Sequence, residues 1–149
     1  MITAAPNLMV ILHPRNGRIV VIRIRKISLE NISAMSHFLW SDGLIADRIA
    51  LESMEILEQA YKRNSAFFNG KGPRNLIGGL LYLLGFRHDY IKRQNEIAST
   101  IGTSDVTIRG SYRDWLETFP DLFLDVTNKL LLDKDRRTYV LLNCPQALA

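Results

Sequence analysis

Residues 74–86 read RNLIGGLLYLLGF, and beyond Arg74 and Asn75 the stretch is apolar or glycine on every side of a helical projection. A helix with one apolar stripe covers one face of a core, whereas a helix apolar all round has to be enclosed by its neighbours. This segment therefore commits the chain to helices packed around one central helix. Pro73 stands just before it, where the first helical turn tolerates a missing N–H. The Gly78-Gly79 pair lowers helix propensity, and the expected compensation is close backbone approach by a packed neighbour.

The 149 residues suffice for one domain with a substantial core. Helical periodicity runs from Ser28 to about Pro120 and predicts five helices, near 28–40, 45–63, 73–86, 92–101 and 104–118. Asp42-Gly43 separates the first two, and NGKGPRN precedes the third. In the second, Ile45, Ile49, Met54, Leu57 and Tyr61 recur at about one turn, with acids on the outer face. Strand patterning occupies both ends. NLMVILHPRNGRIVVIRIRK places β-branched runs on either side of Asn16-Gly17, a dipeptide suited to the positive φ angles of a hairpin turn. NKLLLDKDRRTYVLLN, from Asn128, predicts a second hairpin. The expected organisation is an N-terminal β-hairpin over 1–27, a helical domain over 28–124 and a C-terminal β-hairpin over 125–149.

Charge is distributed in blocks. Residues 1–29 are basic without an acid, 30–59 are acidic, and 60–115 carry nine Lys or Arg against four acids. The net charge of +4 is compatible with a nucleic-acid partner without requiring one. The single cysteine, Cys144, precludes an intrachain disulfide and a cysteine-built zinc site. The N-terminus lacks the pattern of a signal peptide, and no stretch has membrane-spanning length. An intracellular protein is expected, cytoplasmic in a prokaryote or nuclear in a eukaryote.

The most informative constellation is QNEIASTIGTSDVTIRGSYR, residues 94–113, whose spacing fits a helix-turn-helix. Ala98 falls where two helices would cross closely, and Gly102 at the turn suits a left-handed backbone. Ser104 is placed to cap the second helix, and Asp105 suits its positive end. Ile108, Tyr112, Trp115 and Phe119 mark the buried side, leaving Val106, Arg109, Gly110 and Arg113 on the other. In a DNA-binding unit of this kind that outer face enters the major groove. There arginine bonds both acceptors of a guanine, and a small apolar side chain meets a thymine methyl. Lys71, Arg74, Lys92 and Arg93 are candidates for phosphate contact, which supplies affinity rather than sequence choice. The same spacing occurs in purely structural helical corners. Asp105, Asp114 and Glu117 also keep this helix from being electropositive on its own.

GKGPRNLIGGLLYLLG, KRQNEIASTIGTSDVTIRGSYRDW and FPDLF together resemble the second cyclin-like repeat of transcription initiation factor IIB and its archaeal counterpart, transcription factor B. The resemblance is strong over about 70–123 and weaker back to about 28. It implies a five-helix cyclin-like fold containing the helix-turn-helix. It also implies reading of a promoter element beside the TATA box, with Val106 and Arg109 as base readers. Arg113 and Ser104 join them from helical geometry alone. Duplex DNA is the expected partner, with the TATA-binding protein or RNA polymerase as further ones. Family members also carry an N-terminal zinc ribbon and two repeats. This sequence has no cysteines for such a ribbon, and GG replaces the usual alanine-rich stretch of the central helix.

No enzyme is expected. His13, His37 and His88 lack partners at metal-ligand spacing, and Gly70-Lys71-Gly72 lacks the spacing and the Ser/Thr of a phosphate-binding loop. No catalytic residue, metal or cofactor is assigned. Two readings stand: a mainly helical DNA-binding transcription protein, or a protein–protein interaction module acting on a basal transcription component. A homodimer joined through exposed hairpin edges is a further expectation.

Overall fold

The computed structural model describes residues 9–12, 19–22 and 29–131. In chain order these form β1 (Met9–Leu12), β2 (Ile19–Ile22), α1 (Leu29–Leu39), α2 (Gly43–Arg63), α3 (Pro73–Arg87), α4 (Gln94–Ile101), α5 (Asp105–Thr118) and α6 (Leu124–Leu130). Short 3-10 turns at Ser65–Phe68 and Pro120–Phe123 complete them. β1 and β2 pair antiparallel, with Met9 opposite Ile22 and Leu12 opposite Ile19. Residues 13–18, which include the expected Asn16-Gly17 turn, lie outside the described residues.

Each of the five expected helices is present, with ends within two residues of the sequence reading. α3 is the central one. Every residue from Leu76 to Phe86 is buried, and α2, α4, α5 and α6 all pack on it. α1 lies across α2 and α4 instead. The α1–α2 corner is fixed by three hydrogen bonds. Asp42 Oδ1 accepts from the Leu44 and Ile45 amides at 3.0 and 3.4 Å, capping α2. The buried Ser36 hydroxyl donates to the Ala46 carbonyl at 2.6 Å.

The glycine pair of α3 sits where the fold is tightest. A Cβ on Gly79 would stand 2.7 Å from the Ser111 carbonyl carbon, and one on Gly78 would stand 2.5 Å from both Ile101 and Ile108. The α3–α5 crossing thus leaves no room for a methyl group. The neighbour expected to approach the glycines is α5, together with Ile101 at the end of α4.

The chain departs from expectation after Pro120. Residues 125–130, expected to belong to the C-terminal β-hairpin, instead lie in α6, so the helical body continues past residue 124 to Leu130. The run from Asn128 is apolar at both strand and helix spacing, and tertiary packing decides between them. Val126 and Leu130, one turn apart, are buried with α6 against α3. Lys129 Nζ donates to the Phe86 and Arg87 carbonyls at 3.0 and 2.8 Å, satisfying acceptors at the end of α3. The rest of the expected second hairpin, residues 132–149, lies outside the described residues.

Arginine clamps hold this C-terminal part. Arg63 makes a bidentate pair with Asp121, at 2.8 and 2.9 Å. Arg87 does the same with Asp125, at 2.8 and 3.0 Å, and also donates to the Leu122 carbonyl. Glu52 of α2 stands 3.6 Å from Arg87 and 2.8 Å from His88, so this cluster joins α2, α3 and α6. Burial pushes the Asp125 carboxyl up. Hydrogen bonding and charge from Arg87, with backbone amides, outweigh it and hold the group below its ordinary range. No helix among the described residues is long and apolar enough to cross a membrane.

Two stability measurements check this account. Gly79→Ala gains up to about 1 kcal/mol of helix propensity but should lose about 1–3 kcal/mol net through overpacking against Ser111. Urea unfolding reads the difference, and an unchanged or raised midpoint contradicts the tight crossing. Asp125→Asn should lower stability at neutral pH. A carboxyl held low in the fold stabilises fully above its unfolded pKa of about 4 and loses that contribution as pH falls through the folded value. Denaturation curves of the two proteins should converge below about pH 4; a gap that persists in acid contradicts the clamp.

Candidate nucleic-acid interface

α4 and α5 meet through a three-residue turn whose geometry follows from its sequence. Glu96 Oε1 accepts the Arg93 amide at 3.3 Å, closing the start of α4. At its end Gly102 adopts φ 79° and ψ 42°, the left-handed conformation that glycine enters without strain. The amides of Gly102 and Thr103 both donate to the Ala98 carbonyl at 2.9 Å. Ser104 then caps α5, its Oγ accepting the Thr107 amide at 3.2 Å and lying 2.9 Å from the Thr107 hydroxyl. Ser104 is therefore a local cap as well as an exposed surface residue.

The inner face of α5 is held firmly. Ile108, Tyr112, Trp115 and Leu116 are buried, against Ile97, Ala98 and Ile101 of α4 and the side of α3. Trp115 Nε1 donates to the Leu76 carbonyl at 3.0 Å, and the Ser111 hydroxyl to the Asn75 carbonyl at 2.5 Å. The Trp115 ring lies 4.7 Å from Phe67 and 5.7 Å from Phe119 in one aromatic cluster. Ser111 and Asn75 fall outside the sequence expectations. A small polar residue on an inner helical face carries no periodic signal, and only the neighbouring Gly78-Gly79 pair hinted at such contact.

The outer face carries what the inner face leaves free. Val106 is 65% exposed. Gly110 is exposed, and a Cβ there would meet nothing within 4 Å. Arg109 is half-exposed and extends toward Asp105, with 3.7 Å between charged atoms. That i, i+4 pair is loose and solvated, and such pairs contribute little. Arg113 is placed differently from the sequence expectation. It is half-buried, with Nε shielded from solvent. Val106 and Arg109 are brought together with Gly110 on the open face, and Arg113 is drawn inward.

The candidate phosphate ligands also divide. Lys71 Nζ donates to the Phe67 carbonyl at 2.7 Å and stands 4.4 Å over the Phe67 ring, so it closes its own loop. Arg74 is exposed, its guanidinium 3.7 Å from where a Cβ on Gly102 would stand, beside the turn. Arg93 is exposed at the N-cap of α4. Lys92 is half-buried in a groove between α1 and α4. His37 pairs with Asp47 at 2.6 Å and His88 with Glu52 at 2.8 Å, while His13 lies outside the described residues. Among the described residues no three His, Cys, Asp or Glu side chains gather as a metal site.

Comparison with known proteins places this arrangement. The chain is 33% identical over 70 residues to transcription initiation factor IIB of Aeropyrum pernix, covering 47% of this chain and 21% of that protein. Its counterpart in Pyrococcus abyssi is 30% identical over 73 residues, covering 49% and 24%. That of Saccharolobus shibatae is 33% identical over 60 residues, covering 40% and 19%. The chain thus spans about a fifth to a quarter of the length of these relatives. No family model and no solved structure matches it. Over about half of its length the chain is similar to part of transcription initiation factor IIB, and its described residues are mainly helical.

Proposed function

We propose that this protein acts in transcription as a duplex-DNA-binding factor, with α4 and α5 as a helix-turn-helix and α5 in the major groove. One observation carries the reading. The inner face of α5 is fixed to α3 by hydrogen bonds and aromatic packing, while Val106, Arg109 and Gly110 share an open outer face. A reading helix needs that combination, because base contacts demand a rigid support and an unobstructed surface. Similarity to transcription initiation factor IIB supports the same reading.

In this reading Arg109 leaves its loose pair with Asp105 to bond a guanine edge, and Val106 meets a neighbouring methyl group. Gly110 admits the groove wall, and Ser104 keeps the first turn of α5 intact. Arg113, half-buried with its Nε shielded, is a further candidate for base contact. Arg93 contacts phosphate at the start of α4. Arg74 and Lys92 are further phosphate candidates, and Lys71 would have to leave its bond to the Phe67 carbonyl to join them. The TATA-binding protein and RNA polymerase are the protein partners that the resemblance implies. An intracellular location and a non-enzymatic role belong to the same proposal.

Equilibrium binding to labelled duplexes tests this directly. Arg109→Ala should cost about 1–3 kcal/mol on a preferred site and relax discrimination at one base pair. Arg93→Ala should weaken binding to all sequences alike and reduce the salt slope by about 1. Absence of salt-sensitive affinity for any duplex, with or without the TATA-binding protein, contradicts the proposal. A homodimer paired along hairpin edges is proposed with it. Sedimentation at tens of micromolar should then give twice the chain mass, and a monomer contradicts that part.

A further inference from the structure

DNA reading by α5 leaves one group on its open face without a role. Asp105, the first residue of α5, is exposed beside Val106 and is the one acid of the first turn. Its carboxylate faces Arg109 one turn on, with Oδ2 and Nη2 3.7 Å apart, longer than a hydrogen bond. The neighbouring hydroxyls are occupied with each other. Ser104 Oγ lies 2.9 Å from the Thr107 hydroxyl and accepts the Thr107 amide at 3.2 Å. The carboxylate therefore stands open to solvent, with a loosely paired arginine beside it.

Duplex DNA changes those surroundings. The N-terminal residues of a reading helix are the ones that meet base edges, so Asp105 enters the groove with Val106. Arg109 is then engaged by guanine, and water is displaced from between the helix and the bases. A carboxylate taken out of water without a donor is costly. An acid in this place opposes binding unless the DNA supplies the donor.

The chemistry of the groove names that donor. Ionised aspartate accepts hydrogen bonds and donates none. Guanine presents two acceptors on its major-groove edge, and thymine an acceptor and a methyl group. Adenine N6 and cytosine N4 donate, but adenine sets its N7 acceptor next to N6, where it repels a carboxylate. Cytosine is the base that remains. Residues four apart on a helix stand about 5–6 Å apart, and successive bases about 3.4 Å. The cytosine thus belongs to a base pair about one or two steps from the guanine. The other acids of α5 do not share this position. Asp114 lines a hollow against Gly70, Lys71 and Gly72, and Glu117 is in the last turn.

We propose that Asp105 is a specificity-determining residue, its carboxylate accepting the N4 amino group of a cytosine near the guanine bonded by Arg109 and disfavouring sites that lack it. The proposal rests on DNA reading by α5 and adds a second base to it.

Bound duplexes are selected from a random pool with the full chain, with Asp105→Asn, with Asp105→Ala and with Arg109→Ala. The parent chain should enrich a guanine with a cytosine about one or two steps away. Asp105→Asn should exchange that cytosine for adenine, because an amide bonds adenine N6 and N7 together. Asp105→Ala should select no base there. Its affinity for unrelated duplexes should rise about threefold, because a charge that repels phosphate is lost. The guanine should persist in both Asp105 variants. An acid present only to suit the positive end of α5 would move the unfolding midpoint and leave base preference alone. The site is exposed, and unchanged circular dichroism verifies the fold of each variant. A parent motif without the cytosine overturns this inference. So does retention of the parent motif in both Asp105 variants while Arg109→Ala still loses the guanine, a result that leaves reading by α5 standing. Absence of any enriched motif with the parent chain overturns both.

Discussion

The close crossing of α3 and α5 is the contact on which the rest of the molecule depends. Two adjacent glycines in the middle of the central helix let the Ser111 backbone approach where a methyl group would clash. That approach lets the Ser111 hydroxyl reach the Asn75 carbonyl and the Trp115 indole reach the Leu76 carbonyl. Both bonds add a second partner to carbonyls in the first turns of α3, so α5 is held in rotation as well as in depth. Rotation matters most for function. With Ile108, Tyr112 and Trp115 turned inward, Val106, Arg109 and Gly110 have only the outside to occupy.

The same geometry separates structural from functional charge. The chain is basic overall, and among the described residues part of its positive charge is paired within the fold. Arg63 and Arg87 clamp the segment after α5, Lys129 closes the end of α3, and Lys71 closes the loop before it. Among the described residues Arg48, Arg74 and Arg93 are exposed, and Arg109 is half-exposed on α5.

Much of this was legible in the sequence, and what was not has physical causes. The all-round apolar character of residues 76–86 announced a central helix, and Gly78-Gly79 announced a tight neighbour. The Ser104 cap, the Gly102 turn and the Ile108–Tyr112–Trp115 stripe follow local rules that context did not override. Residues 124–130 were not legible in this way. NKLLL satisfies either period, and only the exposed end of α3, with carbonyls awaiting Lys129, selects the helix. The bond from Lys71 Nζ to the Phe67 carbonyl was not legible either. Helical projection gives the direction of a side chain from its own axis, not whether a neighbour or its own loop captures it.

The central claim is that α5 presents a sequence-reading face to duplex DNA. Selection of bound duplexes from a random pool, using the full chain with and without the TATA-binding protein, tests it most directly. The account predicts enrichment of one short motif containing a guanine, with that guanine no longer selected by Arg109→Ala. Recovery of a pool as random as the starting one, under both conditions, would contradict it.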